Sequence, residues 1–179
     1  EDVTPDILCL GKGLTGGYLP VAATLATSSI YEAFLGDYEE QKTFFHGHTF
    51  TGNPIGCAAA LASIDLFEEQ QIVEAIQPKI DHIATRLGEL TDHPNVGDVR
   101  HLGMIIAIEL VANRDSRRPF DWRDRIGVKV CDHAREHGVL MRPLGSTIVL
   151  MPPLTVSVDQ IDQMLDATFS AIESVLPRD

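Results

Sequence analysis

The sequence predicts an α/β fold whose elements fall into two parts. Three observations lead to this prediction. Two short apolar runs flank a glycine-rich turn near the start, a helix rich in small residues follows, and strand and helix patterns alternate towards the end. We expect residues 1–70 to be the final piece of a larger α/β domain, residues 71–91 to be a connecting helix, and residues 92–179 to be a small α+β domain.

The first part begins with two predicted strands. Residues 6–12 predict a short buried strand that ends at Lys12, and residues 21–27 predict a second strand. The segment GKGLTGGYLP forms the turn between them, because glycine and proline favour turns. Residues 28–35 predict a short helix, and the segment TFFHGHTFTGNP predicts a loop.

The helix after this loop has a well-marked start. Asn53 is a favoured cap, and Pro54 suits the first helical position. The helix PIGCAAALASIDLFEE carries small residues all round its first turns, which indicates close packing on several sides, inside the protein or at an interface. A second helical stretch over 72–90 has apolar residues at spacings of three and four, and TDHPN marks its end.

Strand patterns dominate the second part. VGDVRHLGMIIAIELV predicts two strands around a turn, and VLMRP and TIVLMP predict two more that LGS joins. RDSRRPFDW predicts a charged loop. Residues 124–137 predict a helix that stops at Gly138. Ser157 and Gln160 form a capping-box pattern at the start of the last helix.

The overall composition excludes several classes of protein. The chain of 179 residues is 44% hydrophobic, which is typical of a globular protein, and its net charge of −12 disfavours nucleic acid or an anionic membrane as a partner. No apolar run reaches the roughly 18 residues of a membrane span, and the opening residues do not resemble a signal peptide. The three cysteines, far apart and without a CxxC pair, predict buried thiols in a reducing cytoplasm.

A lysine at the end of a buried strand suits one particular chemistry. Burial favours the neutral amine of a lysine and lowers its pKa, and the neutral amine is the form that attacks a carbonyl to make a Schiff base. Gly11 and Gly13 on either side of Lys12 would let a bulky group approach the backbone. A lysine that simply extends into solvent is the other interpretation, and Lys12 alone does not decide between the two.

Histidines and threonines cluster in HGHTFTGNP, just ahead of the helix start. Hydroxyls and free N–H groups near a helix N-terminus suit a phosphate. His46 and His48 are spaced to share a metal ion, but no partner cysteine or acidic triad stands at ligand spacing. His133 and His137 lie four apart on a predicted helix and could also chelate a metal, but two exposed helix residues are the favoured interpretation. We therefore predict no metal site and expect the two helix histidines to be exposed.

Arg142 lies at the end of a predicted strand in VLMRPLG, beside Pro143. A fixed guanidinium can hold a carboxylate through two parallel hydrogen bonds. A surface arginine without such a role is an equally good interpretation of this stretch alone.

Taken together, three stretches resemble a known family. TPDILCLGKGLTGGYLPVAATLAT, FFHGHTFTGNPIGCAAALASIDLFE and GVLMRPLGSTIVLMPPL, in this order, resemble the class III aminotransferases. These enzymes use pyridoxal 5′-phosphate (PLP) on the fold-type I scaffold. The resemblance therefore implies the end of the large-domain sheet, connecting helices and a small C-terminal α+β domain. Within the family, GKGLTGGYLP and RPLGSTIVLMPP are most similar to the aminotransferases of biotin synthesis.

The resemblance assigns roles by position. Lys12 matches the lysine that joins PLP as a Schiff base and then moves the proton during amino transfer. His48 and Thr49 match cofactor contacts, and the threonine reaches across a homodimer interface to the phosphate held by the other subunit. Gly47 and Arg142 match substrate contacts, and the arginine holds the carboxylate of an oxononanoate. The implied reaction transfers an amino group from adenosylmethionine or lysine to that keto acid, giving 7,8-diaminononanoate.

The chain also departs from the family pattern. Ahead of the lysine, members carry a phosphate loop, an aromatic residue that stacks on the pyridine ring, and an aspartate that pairs with the ring nitrogen. Asp2 and Asp6 come too late to be that aspartate. We expect the chain to be the C-terminal part of a longer enzyme, inactive alone and prone to self-association through apolar surface. Two other hypotheses stay open: an aminotransferase for ω-amino acids or ornithine, and a non-catalytic folding or dimerisation module.

Overall fold

The computed structural model describes residues 2–176 and separates the chain into two compact units. Unit 1 runs from Glu1 to Gln71, and unit 2 runs from Ile72 to Asp179. None of the helices described between residues 2 and 176 is long and apolar enough to cross a membrane. The assignment of these units to the domains of a larger enzyme stays a prediction.

Unit 1 is built on a two-stranded antiparallel ribbon. Its two strands lie in the apolar runs on either side of the glycine-rich turn, where strands were predicted, and their pairing is a finding of the structure. The two strands are in register so that Leu10 faces Ala23 at the end where the chain enters the turn. The elements of unit 1 are, in chain order, β1 (Ile7–Leu10), a 3₁₀ turn (Lys12–Thr15), β2 (Ala23–Ala26), α1 (Ser28–Glu32), a second 3₁₀ turn (Tyr38–Glu40) and α2 (Pro54–Glu69).

The prediction that the first strand is buried is wrong for the described residues. Ile7 is 54% exposed, and Leu8 and Leu10 are exposed as well. The physical reason is that β1 pairs with β2 alone, in a two-stranded sheet. A ribbon of two strands offers too little partner surface to cover both of its faces.

The start of α2 is as predicted, and its small residues pack closely on one side. The Asn53 side chain accepts hydrogen bonds from the N–H groups of Ile55 (2.9 Å) and Gly56 (3.2 Å). Gly56 is buried, and a Cβ at that position would lie 2.6 Å from Val21 Cγ2. The small-residue face of α2 therefore allows the helix to approach the segment that follows the glycine-rich turn.

Unit 2 contains a four-stranded antiparallel sheet in the order β3-β4-β6-β5, with helices packed against it. The predicted strands, the helix stop at Gly138 and the capping box at Ser157 are all confirmed. The elements are α3 (Ile72–Ala75), α4 (Gln77–Leu87), a 3₁₀ turn (Gly88–Leu90), β3 (Val96–Leu102), β4 (Ile105–Leu110), a 3₁₀ turn (Trp122–Asp124), α5 (Ile126–Glu136), β5 (Arg142–Leu144), β6 (Thr147–Leu150) and α6 (Val158–Val175).

The helix predicted over residues 72–90 is broken into two helices and a 3₁₀ turn. Pro78 explains the first break. Proline lacks an N–H group, and its ring clashes with the carbonyl four residues earlier, which here belongs to Glu74. The helix therefore ends at Ala75 and restarts at Gln77, with proline in its first turn.

The core of unit 2 follows from the spacing at which apolar residues recur in its strands and helices. Alternate residues of β4 are buried, and so are residues spaced three and four apart on the helices. The fully buried apolar residues that define this core are Ile83, Ile106, Ile108, Val130, Ala134, Ile148, Ile161, Leu165, Ala171 and Ile172.

A charged cluster joins α4 to α6 at the rim of this core. Arg86 donates hydrogen bonds to Asp162 and to Asp166, the second at 2.6 Å, and also to Glu89. The His82 Nε2 lies 2.7 Å from Asp162 Oδ1. The hydrogen bond from His82, followed by that from Arg86, lowers the pKa of the Asp162 carboxyl.

The cysteine prediction is correct for one residue and wrong for two. Cys131 is buried in the core of unit 2, whereas Cys9 and Cys57 are exposed. The reason is the same as for β1. Cys9 lies in the two-stranded ribbon and Cys57 lies in the first turn of α2, and neither element is covered by the described residues of unit 1.

Candidate active site

Lys12 is the first residue of the 3₁₀ turn, two residues beyond the last paired position of β1. Its side chain is exposed, which matches the interpretation in which the lysine extends into solvent and not the one in which it is buried. The uncovered ribbon that precedes it is the physical cause. Among residues 2–176, no carboxylate lies within ion-pairing distance of the Lys12 amine.

The backbone of Lys12 is in the left-handed region, with φ of +50°. A residue with a Cβ is uncommon there, and holding it there costs on the order of 1–3 kcal/mol. Gly11 before it is fully extended, and the Leu14 N–H donates to the Gly11 carbonyl at 3.2 Å across Lys12. The turn therefore presents Lys12 in a conformation that the isolated sequence would not favour.

Two consecutive glycines close this turn because both have positive φ angles. Gly16 has φ of +60° and Gly17 has φ of +83°, conformations that residues with a Cβ rarely adopt. Thr15 just before them is buried, and its hydroxyl donates to the Leu19 carbonyl at 2.6 Å. The Leu19 N–H donates back to the same hydroxyl at 3.3 Å.

An open cleft of about 610 Å³ lies beside Lys12. A Cβ placed on Gly13 would meet nothing within 4 Å, so the backbone next to Lys12 faces open space. A planar group that reacts with the amine can therefore approach the turn without displacing a side chain. The residues that line the cleft are Gly11, Lys12, Gly17, Tyr18, Leu19, Pro20, Val21 and Ala22.

The helix α2 supports this turn from the other side. The Ser63 hydroxyl donates to the Gly13 carbonyl at 3.4 Å. A Cβ on Gly56 would come within 2.6 Å of the Val21 side chain, and Val21 lines the cleft. The lysine turn therefore rests against the small-residue face of α2.

Gly47, His48 and Thr49 lie in the exposed loop that leads into α2. The His48 carbonyl accepts a hydrogen bond from the Thr51 N–H at 3.1 Å, and a Cβ on Gly47 would meet nothing within 4 Å. The ring of His48 stands edge-on to that of His46, with the ring centres 4.7 Å apart. Within residues 2–71, no hydrogen bond or ion pair joins Lys12 to this loop.

Arg142 is the first residue of β5, the edge strand of the sheet in unit 2. It is exposed and pairs through its backbone with Val149. Within residues 2–176, no carboxylate lies within 4.0 Å of its guanidinium group. Since α5 packs tightly on this hairpin, a Cβ at Gly127 would overlap the Gly145 carbonyl oxygen and lie 2.7 Å from Pro143 Cβ.

The histidine pairs do not gather further metal ligands in the described part of the chain. No group of three histidine, cysteine or carboxylate side chains is placed to hold a metal ion among residues 2–176. On α5 the ring centres of His133 and His137 lie 5.0 Å apart, and His133 Nδ1 is 3.5 Å from Glu136. His137 is exposed as predicted, and His133 is half-buried.

Comparison with known proteins identifies the family. The model of the class III aminotransferases matches residues 1–172, so the chain belongs to this family. Class III aminotransferases are PLP-dependent enzymes, which confirms the predicted family, its cofactor and its α/β fold.

Several relatives carry the name of one particular enzyme. The adenosylmethionine-8-amino-7-oxononanoate aminotransferase of Geobacter sulfurreducens is 54% identical over 175 residues, which are 98% of this chain and 39% of the relative. That of Nitratidesulfovibrio vulgaris is 51% identical over 98% of this chain and 32% of its own length. The chain thus spans about two-fifths or less of the relatives that it matches.

Solved structures show the same relationship. The crystal structure of the Methanocaldococcus jannaschii adenosylmethionine-8-amino-7-oxononanoate aminotransferase superposes with a TM-score of 0.91 at 46% identity, over 96% of this chain and 39% of that chain. An (S)-enantioselective ω-transaminase from Thermomicrobium roseum gives a TM-score of 0.88 at 30% identity, over 97% of this chain and 38% of that chain.

Proposed function

We propose that this chain is the lysine-bearing part of an aminotransferase of biotin synthesis. The proposed reaction moves an amino group from adenosylmethionine or lysine to 8-amino-7-oxononanoate and gives 7,8-diaminononanoate. One observation carries the proposal: Lys12 stands with an exposed amine and a left-handed backbone beside an open cleft, in a chain of the class III family. The names of relatives at 51–54% identity support the substrate.

Lys12 has the role of carrying PLP and handling the proton. When bound, PLP supplies an electron sink that makes a hydrogen on the carbon next to the substrate nitrogen acidic. The Lys12 amine, once free, is the base that takes that proton and the acid that returns it at a neighbouring atom. The open space at Gly13 and the adjacent cleft fit a planar cofactor at this lysine.

The loop ahead of α2 is proposed to meet the cofactor phosphate and the substrate. The hydroxyl of Thr49 and the backbone at His48 are exposed donors, suited to phosphate oxygens. We assign the Thr49 contact to the phosphate held by the second subunit of a homodimer, and the Gly47 contact to the substrate. The open surroundings of Gly47 support a close approach of substrate to the backbone.

Arg142 is proposed to hold the carboxylate of the oxononanoate. It is an exposed arginine on an edge strand, and within residues 2–176 its guanidinium has no carboxylate partner. An exposed guanidinium that is not already paired with a carboxylate can offer two parallel N–H donors to the carboxylate of a substrate. The proposed partners are thus small-molecule substrates and a second subunit, in the cytoplasm, without nucleic acid or membrane.

Two other functions have specific support. The ω-transaminases of known structure, at 29–30% identity and a TM-score of 0.88, support an enzyme for another amino compound. The exposed apolar side chains of unit 1 support a non-catalytic module that folds against a partner. We favour the first proposal because the identity to the biotin-synthesis enzymes is much higher.

Reconstitution tests the proposal. The chain is co-expressed with the part of the G. sulfurreducens relative that precedes the matched region, and the purified pair is assayed for 7,8-diaminononanoate with adenosylmethionine and with lysine. We expect turnover with one of the two donors. Lys12→Ala should lower kcat by about 10²–10⁴-fold, because proton transfer by a positioned group contributes about that factor.

Arg142 gives the second arm of the test. Arg142→Gln should raise KM for the keto acid by about 10- to 150-fold, because a charge-assisted hydrogen bond contributes about 1.5–3 kcal/mol. Arg135→Gln, an exposed arginine of the same unit, is the matched control and should leave KM unchanged. A pair that aminates ω-keto acids but not the oxononanoate would support the second function. A folded pair with no turnover on any acceptor would support the third.

A further inference from the structure

We propose that Thr15 is the positioning residue that holds Lys12 in its reactive geometry. This inference rests on the proposed function, in which Lys12 carries PLP. It adds a residue that neither touches the cofactor nor takes part in proton transfer. Three observations lead to it: the strained backbone of Lys12, the burial of Thr15, and the hydrogen bonds that Thr15 makes.

The conformation of Lys12 has to be maintained by its surroundings. A lysine at φ of +50° relaxes towards negative φ if nothing prevents it. Such a change rotates the Cα–Cβ bond and so moves the Lys12 side chain relative to the cleft that it lines. The position of the reacting nitrogen therefore depends on what fixes the turn.

Thr15 is the group best placed to fix it. Its side chain is 2% exposed, and it is the only buried side chain that the structure describes between residues 2 and 71. The Thr15 hydroxyl is both a donor and an acceptor towards Leu19. It donates to the Leu19 carbonyl at 2.6 Å and accepts from the Leu19 N–H at 3.3 Å. The Thr15 carbonyl also accepts from the Tyr18 N–H at 3.2 Å.

These hydrogen bonds connect the lysine turn to the wall of the cleft. The segment from Gly17 to Ala22 lines the same cleft as Lys12, and Leu19 lies within that segment. By closing residues 15–19, the Thr15 hydroxyl fixes the turn and the cleft wall together. The Ser63 hydroxyl is a second contact on the turn, but it is longer, at 3.4 Å to the Gly13 carbonyl, and more exposed.

Reductive labelling of the co-expressed pair described above tests the inference. The pair is incubated with PLP and reduced with borohydride, and the label on each of the four lysines of this chain is measured by peptide mass spectrometry. Lys129, also exposed, serves as the internal control. We expect Thr15→Val, which keeps the shape and removes the hydroxyl, to slow labelling of Lys12 by about tenfold and leave Lys129 unchanged. Thr15→Ser should restore the labelling, and Ser63→Ala should have a smaller effect.

Hydrogen exchange provides a readout that does not depend on the cofactor. In Thr15→Val, exchange should increase in the peptide that covers residues 11–22 and stay unchanged in unit 2. Equal labelling of Lys12 in wild type and Thr15→Val would overturn the inference while leaving the proposed function intact. A wild-type pair in which Lys12 is labelled no faster than Lys129 would overturn the proposed function and the positioning role together. Faster exchange throughout residues 2–71 would show a general folding role and also overturn the inference.

Discussion

The two units bury their apolar side chains to very different extents. Unit 2 has a continuous core, to which α4, α5, α6 and the sheet all contribute. In unit 1 the apolar residues of the ribbon and of α2 are largely exposed, including Leu25 at 50% and Leu61 at 62%. Local signals such as the Asn53 cap and the Gly16–Gly17 turn are nevertheless well formed there. Secondary structure in unit 1 is thus specified locally, although the described residues leave most of its apolar side chains uncovered.

The candidate site residues are supported to different extents by the units in which they lie. Arg142 stands on a hairpin that is part of a closed core, whereas Lys12 depends on a single turn and its contact with α2. We expect unit 2 to keep its structure in the isolated chain. We propose that unit 1 gains its stability from the additional length that its relatives possess.

The largest effect should come from a cavity in the core of unit 2. Ile161 on α6 is fully buried, so Ile161→Ala should lower the free energy of unfolding by about 2–5 kcal/mol. The matched change in unit 1, Leu61→Ala on the exposed face of α2, should alter it by less than about 0.5 kcal/mol. Urea unfolding followed by circular dichroism measures both. Equal losses would show that the two units are stabilised in the same way.

The reactivity of the cysteine thiols should also differ between unit 1 and unit 2. Burial raises the pKa of the Cys131 thiol to about 11, while Cys9 and Cys57 are exposed. Since the thiolate is the reactive form, Cys131 should react with iodoacetamide near neutral pH at least about 100-fold more slowly than the other two. Mass spectrometry of timed samples gives the three rates. Modification of Cys131 at the rate of Cys9 in the folded chain would contradict a closed core.

The hairpin that carries Arg142 should be sensitive to one methyl group. Gly127→Ala places a Cβ against the Gly145 carbonyl and Pro143, and overpacking of this kind costs about 1–3 kcal/mol. Gly88→Ala is the control, because a Cβ there meets nothing within 4 Å, and it should change stability by less than about 0.5 kcal/mol. Thermal unfolding measures the pair. If Gly127→Ala is as stable as the control, the contact between α5 and the hairpin is looser than the structure shows.

The smallest predicted effect is on the free energy of unfolding at acid pH. The hydrogen bonds from His82 and Arg86 lower the pKa of Asp162 in the folded chain. The carboxylate therefore stabilises unit 2 above the ordinary aspartate pKa of about 3.9, and this stabilisation is lost as the pH falls below that value towards the lowered pKa. Asp162→Asn should flatten this part of the curve, measured by urea unfolding at several pH values. Asp115→Asn, at an exposed loop position, should not.

Much of the fold was predictable because its signals are local. The bounds of α2 follow from Asn53, Pro54 and a run of helix-forming residues, and the last helix follows from Ser157 and Gln160. The break at Pro78 was also present in the sequence, but the apolar spacing across it suggested continuity. The exposure of β1 was not predictable, since an apolar strand carries no information about whether its partners belong to the same chain.

The candidate site, too, was predictable only where its signals are local. Lys12 stands out by its flanking glycines, but its left-handed backbone does not follow from its residue type. Thr15 gives a weak signal, because a threonine before two glycines is typical of many turns. Its importance depends on burial and on the hydroxyl contacts with Leu19, which only coordinates reveal. The roles assigned to Gly47, His48, Thr49 and Arg142 stay predictions.

The paired positive φ angles at Gly16 and Gly17 have a consequence for chemical synthesis. Glycine is achiral, but the conformation it adopts here is the one that a D-amino acid prefers. D-alanine at position 17 would be pre-organised for the turn and would restrict the unfolded chain at that point. Cys57 follows Gly56, so a synthetic segment of residues 1–56 could be joined to a recombinant remainder by ligation at that cysteine. Chemical synthesis could then place D- or L-residues at positions 16 and 17, and so favour or disfavour the left-handed backbone of the loop that carries Lys12.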